Sequence, residues 1–181
     1  MYPFESLFQS WRIKKVLPLI KPNWVLVDVG CGSPPKLLQK VSSQIKYGIG
    51  IDEKGSYTKR KNIETFRHTI HKELKIESNS ADAITLLAVL EHLKYPQDII
   101  SECYRILKPA GTLLVTVPTK RSQPILEFLS ALRLVDPHMI HQHENYFTPA
   151  SLQTILNAAG FTAISISSFE MGCNTFIKAK K

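Results

Sequence analysis

The run Val25-Leu26-Val27 followed at once by Asp28-Val29-Gly30-Cys31-Gly32 constrains this chain more than any other feature, because it sets a glycine turn at the carboxyl end of a buried strand. Glycines there permit positive φ and let a ligand approach the backbone closely, which a residue with a Cβ allows only at a cost. Open α/β sheets accept nucleotide-like ligands at such turns. A second strand-like run, Tyr47-Gly48-Ile49-Gly50-Ile51-Asp52, ends in a carboxylate, and 20 positions separate Gly32 from Asp52. That is the spacing at which an acidic residue on the second strand reaches a ribose diol. Two strand ends therefore define one adenosine-sized site.

The rest of the chain continues the alternation of strand and helix. Phe4, Leu7, Phe8 and Trp11 fall at i, i+3, i+4 and i+7, which predicts an N-terminal amphipathic helix with that stripe against the body of the domain. Strands are expected over 24–29, 47–51, 62–66 and 82–88, the last a nearly continuous apolar run as in a sheet covered on both faces. A helix follows the glycine turn over 35–41, and another opens at Pro96 and ends before Pro109. After a strand over 112–117, residues 126–135 read as an extra helical piece. The next helix has Thr148 as N-cap, Pro149 in its first turn and Gly160 past its end. Two closing strands, over 161–167 and 175–179, pair as a hairpin. Alternation of this kind predicts a parallel sheet with right-handed crossovers.

With 181 residues, 44% hydrophobic and 21% charged, the chain suits one domain over 1–181 that buries its own core. Residues 1–22 carry the N-terminal helix, and 119–147 form an insert ahead of the next helix. Cys31, Cys103 and Cys173 show neither CxxC spacing nor a disulfide framework, so a reducing, cytoplasmic setting is expected. The sequence shows no signal-peptide core and no apolar stretch of spanning length. Net charge is +8, which raises nucleic acid as a partner. The basic residues form small separate groups without interleaved aromatics, and that pattern favours solvated surface instead. Oligomeric state is not legible.

These residues fall into five blocks that resemble the class I S-adenosylmethionine-dependent methyltransferases, in particular the ubiquinone/menaquinone-methylase-like subgroup. The blocks are 27–33, Gly50-Ile51-Asp52, Asp82 through Val89-Leu90-Glu91-His92-Leu93, Ile106-Leu107-Lys108-Pro109-Ala110-Gly111 with the strand after it, and Tyr146-Phe147-Thr148-Pro149 with Ala159-Gly160-Phe161. The resemblance implies a Rossmann-like three-layer α/β sandwich on a seven-stranded, mostly parallel sheet, order 3-2-1-4-5-7-6 with strand 7 antiparallel. It implies S-adenosyl-L-methionine as cofactor, with Gly30, Cys31 and Gly32 lining its methionine part, Asp28 bonding its amino group and Asp52 receiving the ribose hydroxyls. Backbone groups at Leu87 and Ala88 would touch the methionine end, and His92 would face the cleft where the methyl leaves. The family often has a third glycine where this chain has Pro34. It also often has an acidic residue after strand three, where this chain has Thr69-Ile70-His71, so the adenine contact stays unassigned.

Methyl transfer from a sulfonium needs chiefly alignment of nucleophile, methyl and sulfur. An acceptor that carries a proton still needs a base, and His92, with a neutral imidazole near working pH, is the candidate for that catalytic role. Ordering of the loop is its bland alternative. His138, His141, His143 and Glu144 with Tyr146 form a second dense group. Their spacing matches no helical zinc motif, so no metal is expected; His141, His143 and Tyr146 are expected as substrate-side contacts. The acceptor implied is a small molecule or a glycan-linked group. Two alternatives stand beside this reading: a methyltransferase-fold binding protein with weak or no turnover, and an RNA methyltransferase.

Overall fold

The computed structural model describes residues 3–124, 134 and 145–181, with side chains from residue 6 onward. The helical piece expected over 126–135, apart from Leu134, and the residues His138, His141, His143 and Glu144 lie outside the described residues. Element order is α1 (Pro3–Val16), β1 (Val25–Val29), α2 (Lys36–Val41), β2 (Tyr47–Asp52), β3 (Thr58–Arg60), β4 (Ile63–Arg67), β5 (Ala81–Leu87), α3 (Pro96–Ile106), β6 (Leu107–Pro118), α4 (Pro149–Ala158), β7 (Thr162–Phe169) and β8 (Asn174–Lys180). Short 3-10 turns interrupt it at Leu90–His92 and Glu170–Gly172.

One sheet holds all the strands in the order β3-β4-β2-β1-β5-β6-β8-β7. The five strands β4, β2, β1, β5 and β6 are mutually parallel, and β8 runs antiparallel to both β6 and β7. The sheet is eight-stranded rather than seven-stranded. Without β3 the expected order remains, and β3 is a short antiparallel strand added at the edge of β4. Its three residues are all exposed, so no alternation of apolar and polar positions announces it in the sequence. Lys61, with φ of 55°, makes the tight turn into β4.

The sheet buries both faces, which explains the unbroken apolar runs of β1, β5 and β6. Val27, Val29, Ile84, Leu86, Leu113 and Val115 face one cluster with α3 and α4 residues such as Ile99, Ile106, Leu152 and Leu156. Leu26, Ala83 and Leu114 face the other, with Ile13, Val16, Leu37 and Leu38 from α1 and α2. Alternate residues of one strand thus serve opposite layers. The N-cap of α4 is as expected: Thr148 Oγ1 accepts from the Ser151 amide at 3.1 Å, and Ser151 Oγ accepts from the Thr148 amide at 2.9 Å. Gly160 takes φ of 96°, and a Cβ there would stand 3.0 Å from the Tyr104 ring. That ring meets Phe161 edge-on at 5.2 Å.

The N-terminal helix forms, but with a different inner face from the one expected. Leu7 and Trp11 are 39% and 38% exposed, while Ile13 and Val16 are 2% and 0% exposed. Its packing comes from its last turns, and Ile20 beyond them joins the same cluster. Earlier in the helix, Gln9 lies close to the glycine turn that follows β1.

Candidate active site

Carboxyl ends of the parallel strands gather on one rim, and the chain leaves β1 and β5 there as adjacent strands at the point where strand order reverses. Ligands of open α/β sheets bind at this switch point. The glycine turn after β1 is fixed from two sides. Gly30 and Gly32 each take φ of 72°, and a Cβ on Gly30 would lie 2.3 Å from Val89 Cγ2. The turn therefore packs directly on the segment that follows β5. Amides of Gly30 and Cys31 both donate to the Ile51 carbonyl, at 2.7 and 3.1 Å, and the Gly32 amide donates to Asp52 Oδ2 at 2.8 Å.

That last bond joins the two sequence motifs. Asp52 Oδ1 accepts from the Lys54 amide at 2.9 Å, so each oxygen of Asp52 is held by one backbone donor and keeps a further lone pair for a ligand. Gly32 and Asp52 border a cleft of about 670 Å³ that runs past Pro35, Gln39, Thr58 and Phe66, within the range of small-molecule sites. Beyond Asp52 the chain returns to the same turn: the Ile70 amide donates to Glu53 Oε1 at 3.0 Å. This bond ties the Thr69-Ile70-His71 segment to the residue after Asp52.

Asp28 is 4% exposed and accepts a bond from Thr85 Oγ1 at 2.6 Å. Burial pushes its carboxyl up to about 7 despite the Thr85 bond, and the nearby Asp52 adds to the rise. Cys31 is buried with its sulfur against Gly50, where a Cβ would come within 2.7 Å of it. Burial holds its thiol near 12, with Asp28 and Asp52 adding to the rise, so it packs as a neutral group. Leu87 ends β5, and Ala88 follows with φ of 57°. The Ala88 amide is spent on Thr116, to the carbonyl at 2.9 Å and to Oγ1 at 3.1 Å. Only its carbonyl is left to face a ligand.

His92 closes the turn after β5, its side chain partly exposed and its Nε2 3.9 Å from Glu91 Oε1. Tyr146 is brought to the same turn by its neighbour. The Asn145 amide donates to the Glu91 carbonyl at 3.1 Å and Asn145 Nδ2 donates to the Leu93 carbonyl at 2.7 Å. Tyr146 itself is 39% exposed. Among the described residues no cluster of His, Cys, Asp and Glu could hold a metal ion.

Individual residues of α1 and of the β7–β8 turn carry no motif that singles them out in the sequence. Gln9 Nε2 lies 3.8 Å from where a Cβ of residue 32 would stand, so α1 crosses over the glycine turn. One turn of helix further on, Arg12 is within electrostatic reach of Glu91 and Glu170. Glu91 is 2% exposed, and burial pushes its carboxyl up to about 7 against the pull of Arg12. Glu170 stands in a turn whose residues 170–172 all have positive φ, two of them not glycine. No local signal pairs residues 12, 91 and 170.

A sheet of this order, with a glycine turn bonded to a carboxylate on the next strand, defines a Rossmann-like nucleotide-cofactor protein. The family model described as "Methyltransferase domain" matches residues 8–166, and the chain belongs to that family, whose cofactor is S-adenosylmethionine. Among similar proteins, a ubiquinone biosynthesis O-methyltransferase of Idiomarina loihiensis is 25% identical over 154 residues, 78% of this chain and 63% of that protein. A mitochondrial namesake from Mus musculus is 23% identical over 159 residues, 78% of this chain and 42% of that one. The chain thus spans less than two thirds of the length of these relatives. Among solved structures, an S-adenosylmethionine-dependent methyltransferase from Archaeoglobus fulgidus superposes with a TM-score of 0.70 at 17% identity, covering 98% of each chain. The cyclase SpnF superposes equally well, at 0.70 and 17%, over 97% of this chain and 80% of that one. The fold is shared across different chemistries, so activity must be argued from the site.

The residues suit this cofactor. Its sulfonium and ammonium are cationic, and the turn offers Asp52 with Asp28 buried beside it, in a chain whose net charge is +8. A local acidic site in a basic protein favours a cation there over a polyanion.

Proposed function

We propose that this chain transfers the methyl group of S-adenosylmethionine to a small-molecule or glycan-linked acceptor in the cytoplasm. The observation that carries the reading is the Gly32 amide bond to Asp52 at 2.8 Å, which turns two separate motifs into one receptor. Asp52 takes the ribose hydroxyls on its remaining lone pairs, as charge-assisted bonds. Asp28 takes the amino group, and the cation's arrival favours the ionised carboxylate that burial disfavours. Gly30, Cys31 and Gly32 with the Leu87–Ala88 backbone flank the methionine chain. The bound cofactor supplies an activated electrophilic methyl.

His92 takes the acceptor proton, and its position beside Glu91 suits the imidazolium that results. Tyr146, held by Asn145 next to that turn, belongs to the acceptor side. We assign His141 and His143 to the same side from the sequence pattern alone. The similarity to ubiquinone O-methyltransferases supports an acceptor of metabolite size. An RNA acceptor draws support from net charge alone, and the carboxylates of the rim oppose it.

A screen with methyl-labelled S-adenosylmethionine and fractionated metabolite extract tests the proposal. Label in the small-molecule fraction is expected. Cofactor binding without transfer to any fraction would point instead to a binding protein on a methyltransferase fold.

A further inference from the structure

The two edges of the sheet are guarded very differently. At one edge, β3 is three exposed residues long, two of them Lys59 and Arg60, and Lys61 follows in the turn. Shortness and cations are how a sheet keeps a further strand from adding to its edge. At the other edge, β7 runs for eight residues, Thr162–Phe169, with no charged side chain, no proline and no glycine. A bulge lies near its start, where Ala163 takes φ of 46° between the pairs Thr162–Lys180 and Ser165–Lys178. From Ser165 to Phe169 the ladder to β8 is regular. Half the backbone amides and carbonyls of that stretch therefore point out of the sheet, with no strand to meet them among the described residues.

The lack of charge extends beyond the strand. Residues 145–169, which carry α4 and β7, contain no Asp, Glu, Lys, Arg or His, in a chain of which 21% is charged. Much of this segment is surface: Ala150, Thr154, Asn157 and Ala158 of α4 are exposed, as are Ser165, Ser167 and Ser168 of β7. Ile155 of α4 and Ile164 and Ile166 of β7 are partly buried against the same core cluster, so helix and strand edge form one uncharged margin. Depletion of charge at the centre of a patch is what sets an interface apart from other surface. Charge also selects the occupant. Each chain carries +8, so two copies approach at least cost through a surface that bears none of it, whereas an acidic partner is drawn to the basic surfaces instead. An antiparallel self-pair about a two-fold axis at Ile166 sets Ile166 against itself and Ser165 against Ser167, past the bulge and with no like charges opposed.

We propose that β7 pairs antiparallel with β7 of a second copy of this chain, joining the two eight-stranded sheets into one, with both α4 helices on the same face. Because β7 runs parallel to β6, this pairing turns the carboxyl ends of the parallel strands in the two copies in opposite directions. The two candidate sites therefore stay apart, and the dimer does not depend on the methyltransferase reading.

The test is sedimentation velocity of the full chain over about 1–100 μM, with hydrogen–deuterium exchange at both ends of that range. A species of twice the chain mass is expected to dominate at the upper concentration, with amide exchange slowed across β7 and not across β3. Ser167→Lys brings one ammonium from each copy to the junction and is expected to weaken the dimer by about ten-fold or more, with the circular dichroism spectrum unchanged. If that variant fails to fold, Ser168→Lys, on the opposite face of the same strand, gives the same reading. A chain that stays monomeric at the highest concentration overturns the proposal and leaves the edge to a strand of another protein. A dimer whose β7 exchange does not change with concentration, or one that survives the substitutions, has its contact elsewhere and overturns the proposal equally.

Discussion

Replacing Asp28 by Asn is expected to stabilise the cofactor-free protein at alkaline pH while weakening the cofactor. The native carboxyl is 4% exposed, and burial raises it from 3.8 to about 7. Between those values the folded chain keeps a proton that the unfolded chain releases, so stability falls as pH rises through that window and stays low above it. At about 1.4 kcal/mol per pH unit, the ionised group costs the fold roughly 4 kcal/mol above pH 7. Asn removes that cost and still accepts the Thr85 hydroxyl, but its new amide needs a partner and forfeits about 1–3 kcal/mol without one. A net gain of about 1–3 kcal/mol is expected near pH 8, shrinking to nothing or reversing near pH 4. Urea denaturation followed by circular dichroism at both pH values measures it. Glu91 rises to about 7 for the same reason, so the variant keeps a residual slope. A variant less stable than wild type near pH 8, or one whose difference does not change with pH, would refute the assignment of a buried ionised carboxyl at this position.

Gly30→Ala should lose roughly 2–4 kcal/mol of stability, from left-handed strain and the overlap with Val89, and should abolish S-adenosylhomocysteine binding at ordinary concentrations; an unchanged melting temperature would refute the packing of the turn on the β5 exit. His92→Ala should lower label transfer by about 100-fold, the low end for loss of an acid–base group, with cofactor affinity unchanged; equal losses in both would make His92 a residue of loop order.

The cofactor-side motifs were legible because they are local. A glycine turn behind a buried strand and a carboxylate at the end of the next strand announce themselves in a few residues each, and the spacing fixes their relation. The late helix was legible for the same reason, with Thr148, Pro149 and Gly160 marking its ends. The approach of Gln9 to the glycine turn was not, because α1 and that turn meet only through tertiary structure. The N-terminal stripe misled: Leu7 and Trp11 have core spacing, yet they are exposed, and the helix is anchored by Ile13 and Val16 instead. The β3 edge strand has three exposed residues and carries no pattern at all. Asp28 stands out in the sequence as a carboxylate at the end of β1, but its raised proton affinity comes from burial by the folded sheet, against the bond from Thr85, 57 residues away.

Isothermal titration of S-adenosylmethionine into wild-type chain, Asp52→Ala and Asp52→Asn tests the central claim most directly. The alanine variant removes the proposed ribose acceptor and the anchor of the Gly32 amide, whereas the asparagine keeps one acceptor for that amide. Binding of one cofactor per wild-type chain is expected, weakened in both variants and by about 1.5–3 kcal/mol in the alanine one, the range for hydrogen bonds to a charged group. Absence of heat at millimolar cofactor, or equal affinity in all three proteins, would contradict the account.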